Sequence, residues 1–400
     1  MTIGVKYIAY GNSSGYGLAG VAYARALHNA GVPVWWQPWF LGPRSYRWQP
    51  ADGLERLPLA QAAKGDAALS DLPALIAAVA RPIDYDTVVV HTVPEHWPHF
   101  VEAGRRMLGY TVWEADALPG HWPSLLNAVD AVMVPLPQIA ELFAHGGVVR
   151  PVHAIPHIRR HAWSESAGDD AIALKLRLRI PDDHFVFYTI GAWDPRKAVD
   201  ALVATFARTF AAEDRVSLLV KTSARASNAA AVGAGEITEN AIREITREAE
   251  RQTGRAAANI AVVAADDISG RTIDAIHAAG DCFVSLAHGE GWGMGAFDAA
   301  ALGNPVIITG WGGPREYLGS DYPGLIAHRM TAVTGWQPHA SYQATQRWAQ
   351  ADVEHAAMLM RAAAARDPRF AEAAVRIRET IVNRYAEPIV AKRFVAAIDG

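Results

Sequence analysis

The sequence predicts an α/β protein with two doubly wound parallel sheets of similar size. Three observations predict this class. Short apolar segments alternate with helical patterns along the 400 residues, which is the rhythm of β-α-β units. Many of the apolar segments are uninterrupted, as in strands buried on both faces. A polar stretch at 158–170 divides the alternation into two series and is interpreted as a linker.

Each series contains recognisable elements. The predicted strands of the first are 6–10, 32–36, 87–91, 107–113 and 131–134, with an alanine-rich helix at 20–29. The predicted strands of the second are 185–190, 216–220, 260–264, 282–286 and 306–309. Apolar residues at helical spacing predict helices at 199–210, 237–252 and 353–364, then helix from 371 onward with a break at Pro388. Ligands of such sheets bind outside the carboxyl ends of the strands.

Composition excludes several classes of protein. With 51% apolar and 20% charged residues, the chain is too apolar for a disordered protein. A net charge of -4 is unlike the basic balance of nucleic-acid-binding proteins. The single cysteine, Cys282, fits a reducing compartment, and neither a secretory signal nor a membrane-spanning segment is expected. We therefore expect a cytoplasmic protein that binds no nucleic acid.

A glycine-rich loop follows the first predicted strand. Gly15, Gly17 and Gly20 form a G-x-G-x-x-G pattern between strand and helix, which is the setting of dinucleotide-binding loops. Those loops also need an acidic residue about 20 positions onward, and 34–39 contains none. The pattern therefore disfavours NAD. Two interpretations remain: backbone amides that meet an anion or a sugar, or a tight turn that needs glycine.

The segment 288–307 carries the strongest chemical signal. A glycine-rich bend contains Glu290, and Asp298 follows eight residues later within a predicted helix. Carboxylates accept hydrogen bonds from sugar hydroxyls, and amides of 291–295 at the start of the helix suit a phosphate. A ligand with a diphosphate between two sugars would use all three features. The alternative, a solvated acid beside a helix-capping acid, does not explain so many glycines.

This segment resembles the E-x7-E motif of retaining glycosyltransferases with the GT-B fold, family GT4. It departs from the family pattern at Met294, at Gly295 in place of proline, and at Asp298 in place of the second glutamate. The matching residues are Glu290, Gly291, Trp292, Gly293, Gly303, Pro305, Val306 and Ile307.

Two further blocks carry the resemblance. The segment 191–197 is similar to the family's basic diphosphate site, with Lys197 conforming and Ala192 standing where many members have arginine. Arg196 or Lys221 is the candidate replacement. The block 109–135 resembles the part of the first domain that faces the sugar donor, with Glu114 at or near the contacting position.

The resemblance implies two Rossmann-like domains facing across a cleft. Residues 1–165 would form the acceptor-side domain and 166–375 the nucleotide-sugar-binding domain. Residues 376–400 would form helices that pack back on the first domain.

The resemblance also implies transfer of a sugar from a UDP- or GDP-sugar to a saccharide or lipid-linked saccharide, with retention of anomeric configuration. The expected setting is cell-surface polysaccharide or lipopolysaccharide synthesis, with at most peripheral contact at the inner face of the membrane. No cofactor or metal is expected. The implied catalytic residues are Glu290, Lys197, Arg196 and Glu114. The implied donor-binding residues are Gly15, Gly17, Lys221, Gly291, Trp292, Gly293, Met294, Gly295 and Asp298.

Two other functions remain open at this stage. A GT-B sugar-nucleotide epimerase would convert the donor without an acceptor. A non-catalytic GT-B subunit would bind and position an active partner. The departures from the family pattern at Ala192, Gly295 and Asp298 are consistent with that hypothesis.

Two clusters allow more than one interpretation. The aromatic cluster of 35–48 is either an acceptor platform, a packed core or a membrane contact. It consists of Trp35, Trp36, Trp39, Phe40, Tyr46 and Trp48. The histidines His91, His96 and His99 have no spacing of a tetrahedral metal site, so we expect them to line the ligand cleft instead.

Overall fold

The computed structural model describes residues 3–41, 45–160, 162–225, 237–266, 268–335 and 340–400. In these residues the strands are β1 (Val5–Tyr10), β2 (Val34–Phe40), β3 (Tyr46–Arg47), β4 (Thr87–His91), β5 (Arg106–Tyr110), β6 (Ala131–Val134), β7 (Val152–Ala154), β8 (Phe185–Ile190), β9 (Val216–Thr222), β10 (Asn259–Ala264), β11 (Cys282–Ser285), β12 (Val306–Thr309), β13 (Leu325–Ile326), β14 (His328–Ala332) and β15 (Arg347–Ala351). The α-helices are α1 (Gly15–Asn29), α2 (Pro58–Ala62), α3 (Leu72–Val79), α4 (Trp122–Leu126), α5 (Pro137–His145), α6 (Ala167–Leu178), α7 (Val199–Thr209), α8 (Thr238–Thr253), α9 (Gly270–Ala279), α10 (Met294–Leu302), α11 (Pro314–Leu318), α12 (Val353–Ala364), α13 (Pro368–Arg384) and α14 (Glu387–Asp399).

The chain forms two structural units. The first contains residues 1–113, 117–163 and 382–400, and the second contains 114–116 and 164–381. The boundaries predicted from the sequence are after 165 and after 375. The short segment 114–116 belongs to the second unit although the residues on both sides of it belong to the first.

The first unit is built on the sheet β3-β2-β1-β4-β5-β6-β7. All neighbouring strands are parallel except β2 and β3. The strand order reverses between β1 and β4, as in doubly wound sheets. The short β3 covers the edge of β2, which would otherwise expose unpaired backbone groups.

The second unit is built on the parallel sheet β10-β9-β8-β11-β12-β13. Its strand order reverses between β8 and β11. The fold class predicted from the sequence is confirmed by these two parallel α/β sheets. Buried residues of α7 and α12 pack against this sheet, with Phe206 and Met360 among the fully buried side chains.

Two local predictions were wrong. Helix α6 begins at Ala167, inside the stretch interpreted as linker, because its acidic first turn (Asp169 and Asp170) favours a helix N-terminus. Helix α1 begins at Gly15 rather than near Gly20, because the side chain of Ser14 accepts a hydrogen bond from the Gly17 amide and caps the helix.

The antiparallel pair β14–β15 was not predicted. Its strands pair from His328 with Ala351 to Ala332 with Arg347. Neither segment shows a clear alternation of apolar and polar residues, which is the pattern that identifies a half-buried strand.

Most of the aromatic cluster of 35–48 is core. Trp36, Trp48 and Phe40 are buried and belong to the hydrophobic core of the first unit. Trp39 is also buried, and stacks on Tyr10 with ring centroids 5.7 Å apart. These residues pack at the edge of the first sheet, as expected if the cluster is a packed core.

His91 is buried in the first unit with 1% of its surface exposed, so the expectation that it lines a ligand site was wrong. Its Nδ1 atom lies 2.8 Å from the Tyr7 hydroxyl. His157 is also buried, at 6% exposure. Burial lowers the pKa of His157 to about 3 and lowers the pKa of His91 well below its ordinary value, because a charged imidazole is costly away from water.

We expect the free energy of unfolding to fall as the pH drops from 6.5 to 5. The unfolded chain takes up protons at both imidazoles near pH 6.5, whereas the folded chain does not, so each group contributes at most about 1.4 kcal/mol per pH unit. Urea unfolding at several pH values measures the slope. His157→Phe should make it shallower. A flat wild-type profile would show that both imidazoles carry charge in the folded protein.

Helix α14 completes the core of the first unit. Its buried residues Val390, Phe394 and Ile398 belong to the same hydrophobic core as β1 and α1. Pro388 lies in the first turn of this helix, so the predicted break at Pro388 is confirmed. In the parts of the chain that the structure describes, no helix is long and apolar enough to cross a membrane.

Candidate active site

The candidate site lies where the strand order of the second unit reverses. Strands β8 and β11 are adjacent in the sheet, and each is followed by one of the segments singled out from the sequence. Residues 191–197 follow β8, and 286–293 follow β11. Parallel strands end at the same edge of a sheet, so these segments meet, and this edge is the usual ligand site of a doubly wound fold.

Lys197 and Glu290 form an ion pair at this edge. The Lys197 ammonium donates to both carboxylate oxygens of Glu290, at 2.6 and 2.7 Å. The two side chains are 21% and 13% exposed. The pair is therefore largely shielded from water. Away from water a charge-assisted hydrogen bond is strong.

Arg196 lies between two carboxylates. Its Nη1 atom is 3.5 Å from Glu290 Oε2 and 3.6 Å from Glu114 Oε1. The same nitrogen donates to the carbonyl of Gly289 at 2.6 Å. The structure thus brings together the four residues that the sequence singled out as catalytic candidates, in the order Lys197, Glu290, Arg196 and Glu114.

The electrostatics of the cluster keep Glu290 ionised. Burial alone would raise the pKa of its carboxyl group, but the charges of Lys197 and Arg196 outweigh burial and hold the pKa below its ordinary value. The four side chains carry two positive and two negative charges, so the cluster is neutral as a whole.

Glycines let three backbone segments come close around Glu290. Gly312 has a φ of 73°, and a Cβ atom on it would lie 2.7 Å from the Glu290 carbonyl oxygen. The amide of the next residue, Gly313, donates to that carbonyl at 2.8 Å. A side chain on Gly289 would overlap the backbone of Glu114. The position of Glu290 therefore depends on small residues at both neighbouring segments.

We expect Gly312→Ala to lower the free energy of unfolding by about 1–3 kcal/mol, since alanine is strained at this φ and its Cβ would push on Glu290. Gly168→Ala is the matched control. Gly168 lies in α6 with open space around it, and alanine should stabilise that helix by up to about 1 kcal/mol. Urea unfolding measures the free energy of unfolding of both variants. The same change in both would mean that the turn at Gly312 relaxes to accommodate alanine.

The other predicted residues of the second unit lie at the same edge of its sheet. Gly293 caps α10 with a φ of 82°, and Met294 begins the helix. Gly295 is close to the Ile190 carbonyl, 3.2 Å from where its Cβ would be, so a small residue lets α10 approach the end of β8. Lys221 pairs in register with Ile190 at the neighbouring strand end.

Two of the predicted donor-binding residues have large or charged side chains that are buried, Trp292 and Asp298. Trp292 packs against Phe297 and Tyr317, with ring centroids 5.1 and 5.5 Å apart. Asp298 lies on α10 with 8% of its surface exposed. Gly291 lies in the bend, and a Cβ on Gly313 would come within 2.7 Å of the Gly291 carbonyl oxygen.

Gly15 and Gly17 belong to the first unit, in the first turn of α1. A Cβ on Gly17 would overlap the backbone of Asn12. The tight-turn requirement therefore explains Gly17 by itself.

Sequence reasoning missed the contribution of the β14–β15 region. Tyr342 donates to Glu114 Oε2 at 3.0 Å. Trp348 stacks on His288 with ring centroids 4.6 Å apart and an interplanar angle of 12°. The glycines at 310, 312 and 313, shortly after β12, were the sequence signal for the turn at Gly312 and Gly313. No comparable signal pointed to Tyr342, which is 228 positions from its partner.

Metal-ligating side chains do not cluster in the described part of the chain: no three histidine, cysteine, aspartate or glutamate residues there are placed to hold an ion.

Comparison with known proteins identifies the fold. Residues 173–333, within the second unit, match the family model of glycosyl transferases group 1. Sucrose-phosphate synthase from Thermosynechococcus elongatus superposes with a TM-score of 0.62 and 16% identity, over 99% of this chain and 98% of that one. The chain has the GT-B fold.

Two further structures share the GT-B fold with this chain. HepE of Anabaena, solved in complex with UDP-glucose, has a TM-score of 0.61 and 13% identity, with all of both chains covered. TarM of S. aureus, solved with UDP, fondaparinux and α-GlcNAc-glycerol, has a TM-score of 0.53 and 12% identity. The match covers 78% of this chain and 55% of TarM. No curated protein sequence is significantly similar to this chain.

Proposed function

We propose that this protein is a retaining glycosyltransferase that moves a sugar from a nucleotide-sugar donor to a saccharide or lipid-linked saccharide. The observation that carries the proposal is the cluster of Lys197, Glu290, Arg196 and Glu114 at the reversal point of the second sheet. The match of the surrounding segment to glycosyl transferases group 1 supports it.

The proposed chemistry follows from the charges. Departure of a nucleoside diphosphate builds negative charge, and fixed cations and amides lower the barrier to that step. Lys197, Arg196 and the backbone amides at the start of α10 would supply this stabilisation. Lys221 lies at the neighbouring strand end and would add a further cation. The proposal therefore needs no divalent metal.

Binding of the donor would rearrange the Lys197–Glu290 pair. In the structure the ammonium group donates to both oxygens of the carboxylate. A diphosphate would compete for Lys197 and release Glu290 oxygens to accept hydrogen bonds from hydroxyls of the donor sugar. Asp298, on helix α10, is our candidate for contact with the ribose.

The nature of the donor rests on the comparison structures. HepE was solved with UDP-glucose and TarM with UDP, so we propose UDP as the first nucleotide to test and GDP as the second. Cell-surface polysaccharide synthesis, at the inner face of the membrane, is the proposed setting.

A panel of UDP-, GDP- and ADP-sugars tests the function. Thermal shift identifies the nucleotide, because a ligand that binds only the folded state raises its stability in proportion to the logarithm of ligand concentration over Kd. NMR of the product with a panel of saccharide acceptors then reports the anomeric configuration. Donor conversion without acceptor would show an epimerase, binding without turnover a non-catalytic subunit, and activity abolished by EDTA a metal requirement.

A further inference from the structure

The β14–β15 pair, with Tyr342 from the segment that joins its strands, packs directly against the candidate site. Trp348 of β15 stacks on His288, whose amide in turn donates to the Arg196 carbonyl at 2.7 Å. Arg347 pairs with Asp116 through its side chain, at 2.7 Å, and through its backbone amide, at 2.6 Å. These contacts fix β15 beside His288 and beside Asp116.

Tyr342 extends from the same connection to Glu114. Its hydroxyl donates to Oε2 of the carboxylate, while the other oxygen, Oε1, faces Arg196. Burial, followed by the negative charge of Glu114, raises the pKa of Tyr342 well above its ordinary value. The hydroxyl is therefore protonated and available as a donor.

A continuous chain of polar contacts results. Tyr342 holds Glu114, Glu114 faces Arg196 at 3.6 Å, and Arg196 faces Glu290 at 3.5 Å. A carboxylate with one oxygen held by a hydroxyl can rotate less, so its second oxygen keeps its direction towards the guanidinium group. Glu114 itself is only 13% exposed, and water offers little competition for these contacts.

We propose that Tyr342 is a positioning residue of the active site, which acts through Glu114 to hold Arg196 in place beside Glu290. The inference rests on the proposed transferase function and assigns the β14–β15 hairpin a role in it. Docking of the hairpin does not need this hydroxyl, because the Trp348 stack and the Arg347–Asp116 pair already secure it. The role of the hydroxyl is thus to orient the carboxylate.

Tyr342→Phe tests the role, because it removes only the hydroxyl. We expect kcat to fall about tenfold, the effect of losing one hydrogen bond to a charged group. UDP affinity should fall less than kcat does, because Lys197 is held by Glu290 and lies further along this chain of contacts than Arg196. Tyr85→Phe is the matched control. Tyr85 also donates to a carboxylate of an ion pair, that of Glu102 with Lys6, and its loss should leave kcat unchanged.

A double-mutant cycle with Glu114→Ala shows whether Tyr342 acts through Glu114. Once the carboxylate is gone, Tyr342→Phe should lower kcat no further. Two results with an active wild-type enzyme would overturn this inference and leave the proposed function standing. One is an unchanged kcat in Tyr342→Phe, and the other is additive losses of kcat in the double mutant. A wild type that transfers no sugar from any donor would overturn the proposed function and this inference together.

Discussion

Replacing Glu290 with glutamine should lower kcat by about a hundredfold, the effect of weakening one or two charge-assisted hydrogen bonds of roughly 1.5–3 kcal/mol each. Glutamine has nearly the same shape, so packing against the turn at Gly312 is preserved. Its neutral amide offers one acceptor in place of two charged oxygens. It cannot hold Lys197 and sugar hydroxyls as the carboxylate does.

A loss of stability must be separated from this loss of turnover. Glu290 pairs with a partly buried lysine, so Glu290→Gln also leaves the Lys197 charge less compensated. Glu102→Gln is the matched control, because Glu102 pairs with the buried Lys6 in the first unit. Both variants should lose similar free energy of unfolding, but only Glu290→Gln should lose turnover. Turnover at the wild-type level in Glu290→Gln would remove Glu290 from the mechanism.

Lys197→Ala should weaken binding of the nucleoside diphosphate about ten- to a hundredfold, because one charge-assisted hydrogen bond of roughly 1.5–3 kcal/mol is lost. The free protein engages Lys197 with Glu290, so diphosphate binding exchanges one anion for another. The lower end of this range is therefore our expected value. Removal of the ammonium group also leaves Glu290 with Arg196 as its remaining cation in the cluster.

Isothermal titration calorimetry with UDP measures this difference. Arg215→Ala is the control, because Arg215 is a largely exposed cation of the same unit, paired with Asp183 at 3.5 Å. Its replacement should leave UDP affinity unchanged, as expected for a solvated surface pair. Equal affinities of wild type and Lys197→Ala would mean that Lys197 serves only its ion pair with Glu290.

Much of the fold could be predicted because buried parallel strands leave a strong local pattern. The strands 87–91, 131–134, 185–190 and 306–309 were predicted with the bounds that the structure shows. Each contains an uninterrupted run of apolar residues. The pair β14–β15 left no such pattern, because its strands are stabilised by contacts with distant segments, such as that of Trp348 with His288.

The candidate site was predictable only in part, for the same reason. Lys197 and Glu290 lie in segments whose glycines and charges are visible in the sequence, and both follow predicted strands. Tyr342 is visible only as one tyrosine among polar residues. Its significance comes from Glu114, which the fold places beside it across 228 positions of the chain. A single sequence does not report such long-range contacts.

Helix α14 has a consequence for how the protein is made. The first unit is assembled from residues up to 163 and from 382–400, and Phe394 and Ile398 are fully part of its core. A ribosome adding roughly 5–20 residues per second needs on the order of 10–50 s to make the intervening stretch. During that time the nascent first unit would expose the apolar surface of α1 that α14 later covers. We therefore expect the second unit to be complete first. We also expect chaperones that bind exposed apolar surface to protect the first unit until α14 is made.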